Sequence, residues 1–198
     1  MTPIANPARV FLLGPLSLAP LIGVTDGLIK AIGFLLVLGA VGLLHFVLMQ
    51  GINLIMGSTF RRLAGAIIAA TLVSIAGLLL QARALELYQA LGIYLPIVGI
   101  QCLLLQDIPT ELSANTRKLV RGAGYYSAAI LALGTLRELL GDGSLLNNAQ
   151  WLFGSNAASW RIDLLPSASG VHLMVLAPGG FILSGLLMAA VNALRQRQ

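Results

Sequence analysis

The chain has 198 residues, of which 58% are hydrophobic and only 10% are charged. Soluble domains carry roughly 25% charged residues, and a soluble fold with this composition would leave too much apolar surface in contact with water. The composition therefore excludes an ordinary soluble domain and indicates a protein that lies largely within lipid.

Six apolar segments are predicted to cross the membrane, because each span needs about 20 apolar residues. They lie at about 10–25, 32–56, 64–81, 89–106, 122–141 and 171–194. Short polar stretches at 25–27, 58–62 and 81–83 separate the first four, and longer connections at 106–121 and 141–170 follow. Pro15 and Pro20 interrupt the first segment and no Ala-x-Ala site follows it, so we interpret it as a retained span rather than a cleaved signal peptide.

The positive charges predict the orientation in a bacterial inner membrane. With the N-terminus in the cytoplasm, eight of the twelve basic residues fall in inside segments, and only Lys30, Arg83, Arg137 and Arg161 fall outside. This bias predicts that both termini are cytoplasmic, and it explains the net charge of +5 without nucleic acid as a partner.

The connection 141–170 is then periplasmic. Its Trp151, Phe153 and Trp160 are typical of a segment at the membrane interface.

The first and fourth segments share an unusual pattern of proline and glycine. Gly14, Pro15 and Pro20 interrupt the first, and Gly92 and Pro96 interrupt the fourth. Paired broken segments in corresponding halves favour an inverted repeat with a site near the middle of the membrane. The sequence thus predicts one integral membrane domain, 1–198, whose repeats cover about 6–81 and 87–195, with a site where the two broken segments meet.

Few side chains are candidates for chemistry. Cys102 is the only thiolate, and a lone cysteine in an apolar helix is usually a small buried hydrophobe. His45 and His172 are isolated, and we interpret both as packing or interface residues, since metal sites need several convergent donors. Glu138, beside Arg137, is predicted to lie deepest among the acidic residues, where it forms a helix-end salt bridge or contacts an ion path.

No phosphate-binding loop, dinucleotide fingerprint, haem-attachment motif or nucleophile triad is present in the sequence. The residues alone leave a membrane subunit and a small secondary transporter as alternatives, since inverted repeats with broken helices suit both. The scarcity of charge within the spans argues against ion-coupled uptake of a polar substrate.

Four stretches resemble one family. They are LLQA at 79–82, LYQALGIYLPIV at 87–98 followed by Cys102, LRELLGDGSL at 136–145, and LAPGGFI at 176–182. They are similar to the family of Rnf-complex E subunits, to which the D subunits of Na⁺-translocating NADH:quinone reductases are related. The last stretch is more like the E subunits. The resemblance runs almost from end to end.

The resemblance implies an all-α membrane protein of six transmembrane helices, arranged as two inverted three-helix repeats with helices one and four broken. It also implies a homologous A-type partner of opposite topology. In that family, two cysteines from each of the two subunits hold a [2Fe–2S] cluster that carries electrons across the membrane. The resemblance further implies the flavin-carrying D and G subunits and the B and C iron–sulfur and flavin subunits as partners, and a chain that is not catalytic alone.

The cysteine pattern departs from that family. Cys102 corresponds to the second family cysteine, which makes it the candidate iron–sulfur ligand, but Ala19 stands where the first is expected. Ser17 is a possible replacement donor, although a hydroxyl is a poorer ligand than a thiolate. Three outcomes follow: a cluster with an unusual fourth ligand, an extra donor from the partner, or a structural subunit of the complex without a cluster.

Overall fold

The computed structural model describes residues 22–53, 58–106, 116–163 and 172–196. Its main helices are α1 (Leu28–Asn53), α2 (Ser58–Arg83), α3 (Leu85–Leu91), α4 (Leu95–Gln106), α5 (Thr116–Gly141) and, after a short helix α6 (Gln150–Phe153), α7 (Ala177–Gln196). Three 3₁₀ turns lie at Gly92–Tyr94, Ser155–Trp160 and His172–Met174, and two short strands, β1 (Ser144–Leu145) and β2 (Ile162–Asp163), form an antiparallel pair.

Three helical stretches in the described residues are long and apolar enough to cross a membrane: Leu28–Ile52, Phe60–Arg83 and Leu85–Leu104. They match the predicted second, third and fourth segments. Large apolar side chains such as Leu43 and Ile67 point outward from them, which is expected where lipid is the solvent. Helices suit this environment because each satisfies its own backbone hydrogen bonds.

The predicted fifth and sixth segments are also helices, α5 and α7. In α7 the apolar part shortens to Ala177–Leu187, and α5 carries several charged residues. The predicted first segment lies outside the described residues except for 22–25, where a helical end at 22–23 leads into a turn. The arrangement of six spans in two inverted repeats therefore stays a prediction.

The structure has an interruption in the fourth segment where the sequence predicts one. Helix α3 ends at Leu91, a 3₁₀ turn covers Gly92–Tyr94, and α4 begins at Leu95. The cause is Pro96, which has no backbone N–H and whose ring would clash with the carbonyl of Gly92, four residues earlier, in a regular helix. Gly92 and Leu95 keep right-handed helical dihedrals, so the interruption tightens the helix without reversing the chain.

Two predicted separators are wrong in detail. Residues 58–62 form the first turn of α2, and 81–83 form its last turn, so only Ala84 lies between α2 and α3. Polar residues are favourable at both places because helix ends leave backbone groups unpaired, and Arg83 in the last turn complements the helix dipole.

The buried core forms where α1 packs against α2, α4 and α5, and where α2 packs against α4. Phe34, Leu91, Val98 and Ile130 are almost completely buried in one apolar cluster. Gly134 brings α5 close to α1, since a Cβ at this position would lie 3.2 Å from the Cβ of Ala31. Close approach through small residues is the usual way in which helices associate in lipid.

The connection after α5 folds into a small lobe, residues 142–163, of two short strands, the helix α6 and a 3₁₀ turn. Strands β1 and β2 pair Ser144 with Asp163. Trp151 is half-buried and packs on the core. Phe153 and Trp160 face outward, 59% and 50% exposed, with ring centroids 5.4 Å apart.

We predict that the exposed Phe153–Trp160 pair lies at the level of the lipid headgroups, where aromatic rings are favoured. The chain has two tryptophans, so Trp151→Phe and Trp160→Phe each leave a single reporter. In vesicles, lipids brominated near the headgroup should quench Trp160 strongly, and Trp151 less because it is half-buried. Quenching of Trp160 by aqueous iodide but not by brominated lipid would place the lobe in water.

Candidate functional site

The described residues bring four parts of the chain together at one end of α5. These are the turn 22–28, Tyr94 in the 3₁₀ turn, Arg137 with Glu138, and the loop 173–176 before α7. We call this set of residues the junction. It contains two ionisable side chains that are almost completely buried, Arg137 and Glu138, each 1% exposed.

Arg137 uses all five N–H donors of its guanidinium. Nε donates to the carbonyl of Met174 at 3.0 Å, and Nη1 donates to the carbonyl of Ile22 at 2.5 Å and to Thr25 Oγ1 at 3.0 Å. Nη2 donates to the carbonyls of Val175 and Leu176. Five is the full donor capacity of arginine, so this side chain joins the turn 22–28 to the loop before α7 without an unpaired N–H.

Backbone dipoles stabilise this buried charge. Among the described residues no carboxylate lies within 4.0 Å of the guanidinium. Four of the five acceptors are backbone carbonyls, and that of Ile22 lies in the helical end at 22–23. A buried cation is tolerated when its hydrogen bonds are all satisfied, and here the chain itself supplies every acceptor.

Glu138 is a buried carboxylate that accepts hydrogen bonds from backbone N–H groups. Its Oε2 accepts the N–H of Leu28 at 2.7 Å, and its Oε1 accepts the N–H of Asn147 at 2.6 Å. Leu28 is the first residue of α1, so the carboxylate lies at the positive end of that helix, where anions are favoured. Glu138 thereby holds α1 and the lobe to the end of α5.

The expected helix-end salt bridge of Arg137 and Glu138 is wrong. The two side chains do not pair with each other, and each binds backbone groups of other segments. The physical reason is that consecutive residues on a helix do not face each other. Arg137 therefore binds the helical end at 22–23, before the turn, and Glu138 binds the first residue of α1, after it.

Glycines make room for the junction. A Cβ on Gly180 would lie 3.1 Å from Arg137 Nη1, and one on Gly179 would overlap the backbone of Leu173 and Met174. A Cβ on Gly141 would overlap the side chain of Val175. Two of the stretches that carry the family resemblance, 136–145 and 176–182, therefore meet at this place.

The two predicted broken segments touch at the junction. A Cβ on Gly23 would overlap the ring of Tyr94, so this glycine allows the first segment to lie against the interruption of the fourth. Lys30 Nζ lies 5.2 Å from the centre of the same ring and pairs with Asp26 at 2.8 Å. The described part of the contact thus includes an ion pair beside an aromatic ring.

Cys102 lies away from these polar residues, within the apolar core. It is 1% exposed on α4 and belongs to the same apolar cluster as Val98 and Leu95. In the parts of the chain that the structure describes, no group of three or more His, Cys, Asp or Glu side chains is placed to hold a metal. Ala19 and Ser17 lie outside the described residues.

Of the two histidines, His45 contacts a neighbouring helix. His45 is buried, and its Nε2 lies 3.3 Å from the carbonyl of Gly65 on α2. Since a carbonyl oxygen only accepts, this contact requires a proton on Nε2. His45 therefore packs two helices together as expected, whereas the side chain of His172 lies outside the described set.

The residues present do not fit a two-thiolate half-site for a [2Fe–2S] cluster. Such clusters need four protein ligands, and the resemblance implies two cysteines from each of two subunits. This chain has one cysteine, and the described residues around it are apolar.

Apolar helices with outward-facing aliphatic side chains and a buried polar junction define an integral membrane protein. Over residues 3–188 the sequence matches the family described as "Rnf-Nqr subunit, membrane protein". The chain belongs to this family.

Three relatives, each named as the E subunit of an ion-translocating oxidoreductase complex, illustrate the similarity. The protein of Pseudomonas paraeruginosa is 38% identical, over 94% of this chain and 79% of the relative. The protein of Shewanella amazonensis is 35% identical, over 97% and 84% respectively, and that of Glaesserella parasuis 31%, over 98% and 85%. The resemblance predicted from the four stretches is confirmed.

We predict that Arg137→Gln lowers the free energy of unfolding by at least about 1–3 kcal/mol, the usual cost of leaving a buried polar group without its hydrogen-bond partner. The variant leaves several carbonyls without a donor. Arg121→Gln is the matched control, because Arg121 is exposed on the same helix. Denaturant unfolding of the purified chain in detergent measures both, and equal effects would contradict the role of the five hydrogen bonds.

Proposed function

We propose that this chain is the E-type membrane subunit of an ion-translocating oxidoreductase complex in a bacterial inner membrane, with both termini in the cytoplasm. One observation carries the proposal: relatives of that name are similar over almost the whole chain, up to 98% of it. Two of the four stretches that resemble the family, 136–145 and 176–182, also build the junction.

The proposed partners follow from the family. A homologous A-type subunit of opposite topology would lie against this chain in the lipid bilayer, and the flavin-carrying D and G subunits and the B and C subunits would supply the redox centres. The membrane subunit then contributes to electron transport and coupled ion movement through its partners, and it is not an enzyme on its own.

Two forms of this proposal differ at Cys102. In one, Cys102 is a ligand of a [2Fe–2S] cluster shared with the A-type partner, as the resemblance of the stretch 87–98 and Cys102 to the family implies. In the other, the subunit has no cluster and is structural. The lone thiol enclosed by apolar side chains favours the second form, because this chain has no second cysteine with which to complete its half of the ligand set.

Purification of the tagged chain from its native membrane tests the proposal. We expect the flavoprotein and iron–sulfur subunits of the complex to copurify with it. We also expect the subcomplex with the homologous partner to contain little iron and to give the same reduced-state EPR spectrum with Cys102→Ser as without it.

Each alternative has its own outcome. A [2Fe–2S] signal that Cys102→Ser abolishes or shifts would make Cys102 a ligand and favour the first form. Purification without any redox subunit, together with solute uptake by vesicles that contain only this chain, would contradict the proposed function and favour a small secondary transporter.

A further inference from the structure

We propose that Arg137 and Glu138 are positioning residues, which fix the place where the first and fourth segments of this membrane subunit meet. The inference rests on the proposed function, because it assigns these residues a role in the turnover of the complex. The geometric part of the inference concerns only this chain.

The two side chains hold both ends of one short turn. Arg137 binds the carbonyl of Ile22 and the hydroxyl of Thr25, and Glu138 binds the N–H of Leu28. Because Arg137 and Glu138 are neighbours on α5, both ends of the turn are held by hydrogen bonds to the same rigid helix. The turn 22–28 therefore has little freedom to shift along α5 or to rotate against it.

The fixed turn carries the contact between the two segments. Gly23 lies between the two Arg137 acceptors in sequence and against the ring of Tyr94. Lys30, two residues into α1 from Leu28, lies beside the other part of this contact, near the same ring, and pairs with Asp26 of the turn. Tyr94 is thus surrounded by groups whose positions depend on Arg137 and Glu138.

The chemistry of arginine suits positioning more than simple charge stabilisation. A planar guanidinium with five directed donors holds two segments in one geometry, whereas a lysine ammonium has three donors on a flexible chain. Arg137→Lys should therefore keep the positive charge but release part of the turn. Thr25→Val is a milder variant, since it removes only one of the five acceptors.

A double-mutant cycle on the full-length chain in detergent tests the geometry. Gly23→Ala should lower the melting temperature, because its Cβ overlaps the Tyr94 ring, whereas Gly27→Ala in the same turn has no atom within 4 Å and should change it little. If Arg137 holds Gly23 against Tyr94, the loss caused by Gly23→Ala should shrink in an Arg137→Lys background.

Thr25→Val serves as the release variant if Arg137→Lys does not fold, and Thr135→Val is its control, because that hydroxyl bonds to Leu131 within α5. Coupling between Gly23→Ala and a release variant supports positioning, since residues that share a contact network are not additive. Additive losses in both backgrounds would overturn it.

The purified complex supplies the functional readout. With Arg137→Lys, electron-transfer turnover per assembled complex should fall about tenfold or more, because small displacements of functional groups reduce rates by such factors. Arg121→Gln should leave turnover unchanged. A reduced yield of complex with normal turnover would make Arg137 merely structural and overturn the inference. Failure of the wild-type chain to copurify with redox subunits would contradict the proposed function instead, and the cycle on the chain alone would still decide the geometry.

Discussion

The hydrogen bonds of the Arg137 guanidinium with five oxygen acceptors are the interaction on which the junction depends. In an apolar interior a cation without partners is too costly to bury, and so is a carbonyl without a donor. Here the buried guanidinium and the buried carbonyls satisfy one another by hydrogen bonding. The carbonyls are those of Ile22, Met174, Val175 and Leu176. Two segments far apart in sequence are thereby tied to the end of α5, and neither needs water at that depth.

The same reasoning explains why Glu138 follows directly. A helix begins with unpaired N–H groups and ends with unpaired carbonyls, and the turn 22–28 contains one end of each kind. A cation suits the end with unpaired carbonyls and an anion the end with unpaired N–H groups, so adjacent residues of opposite charge can serve both ends when their side chains diverge. The glycines at 141, 179 and 180 then matter because any side chain there would hold the segments apart.

Much of the helical fold was predictable from the sequence, because lipid forces apolar side chains outward over the whole length of a span. The stretch Leu28–Asn53 and the interruption at Gly92–Tyr94 are local consequences of hydropathy and of Pro96. The junction was not predictable in the same way. Proximity in sequence suggested a salt bridge between Arg137 and Glu138. Their partners instead include Leu28 and Ile22, which lie 110 and 115 residues away, a separation that no local pattern reveals.

The residues that build the junction are separate from those that surround Cys102. Arg137 and Glu138 need glycines, carbonyls and backbone N–H groups, and none of these involves Cys102, which lies in the apolar cluster with Val98. The hydrogen bonds of the described junction therefore do not depend on whether the chain takes part in holding a cluster. The architecture that sets the first and fourth segments against each other is built from glycines and backbone groups at the end of α5, and a change at Cys102 alone leaves all of its hydrogen bonds in place.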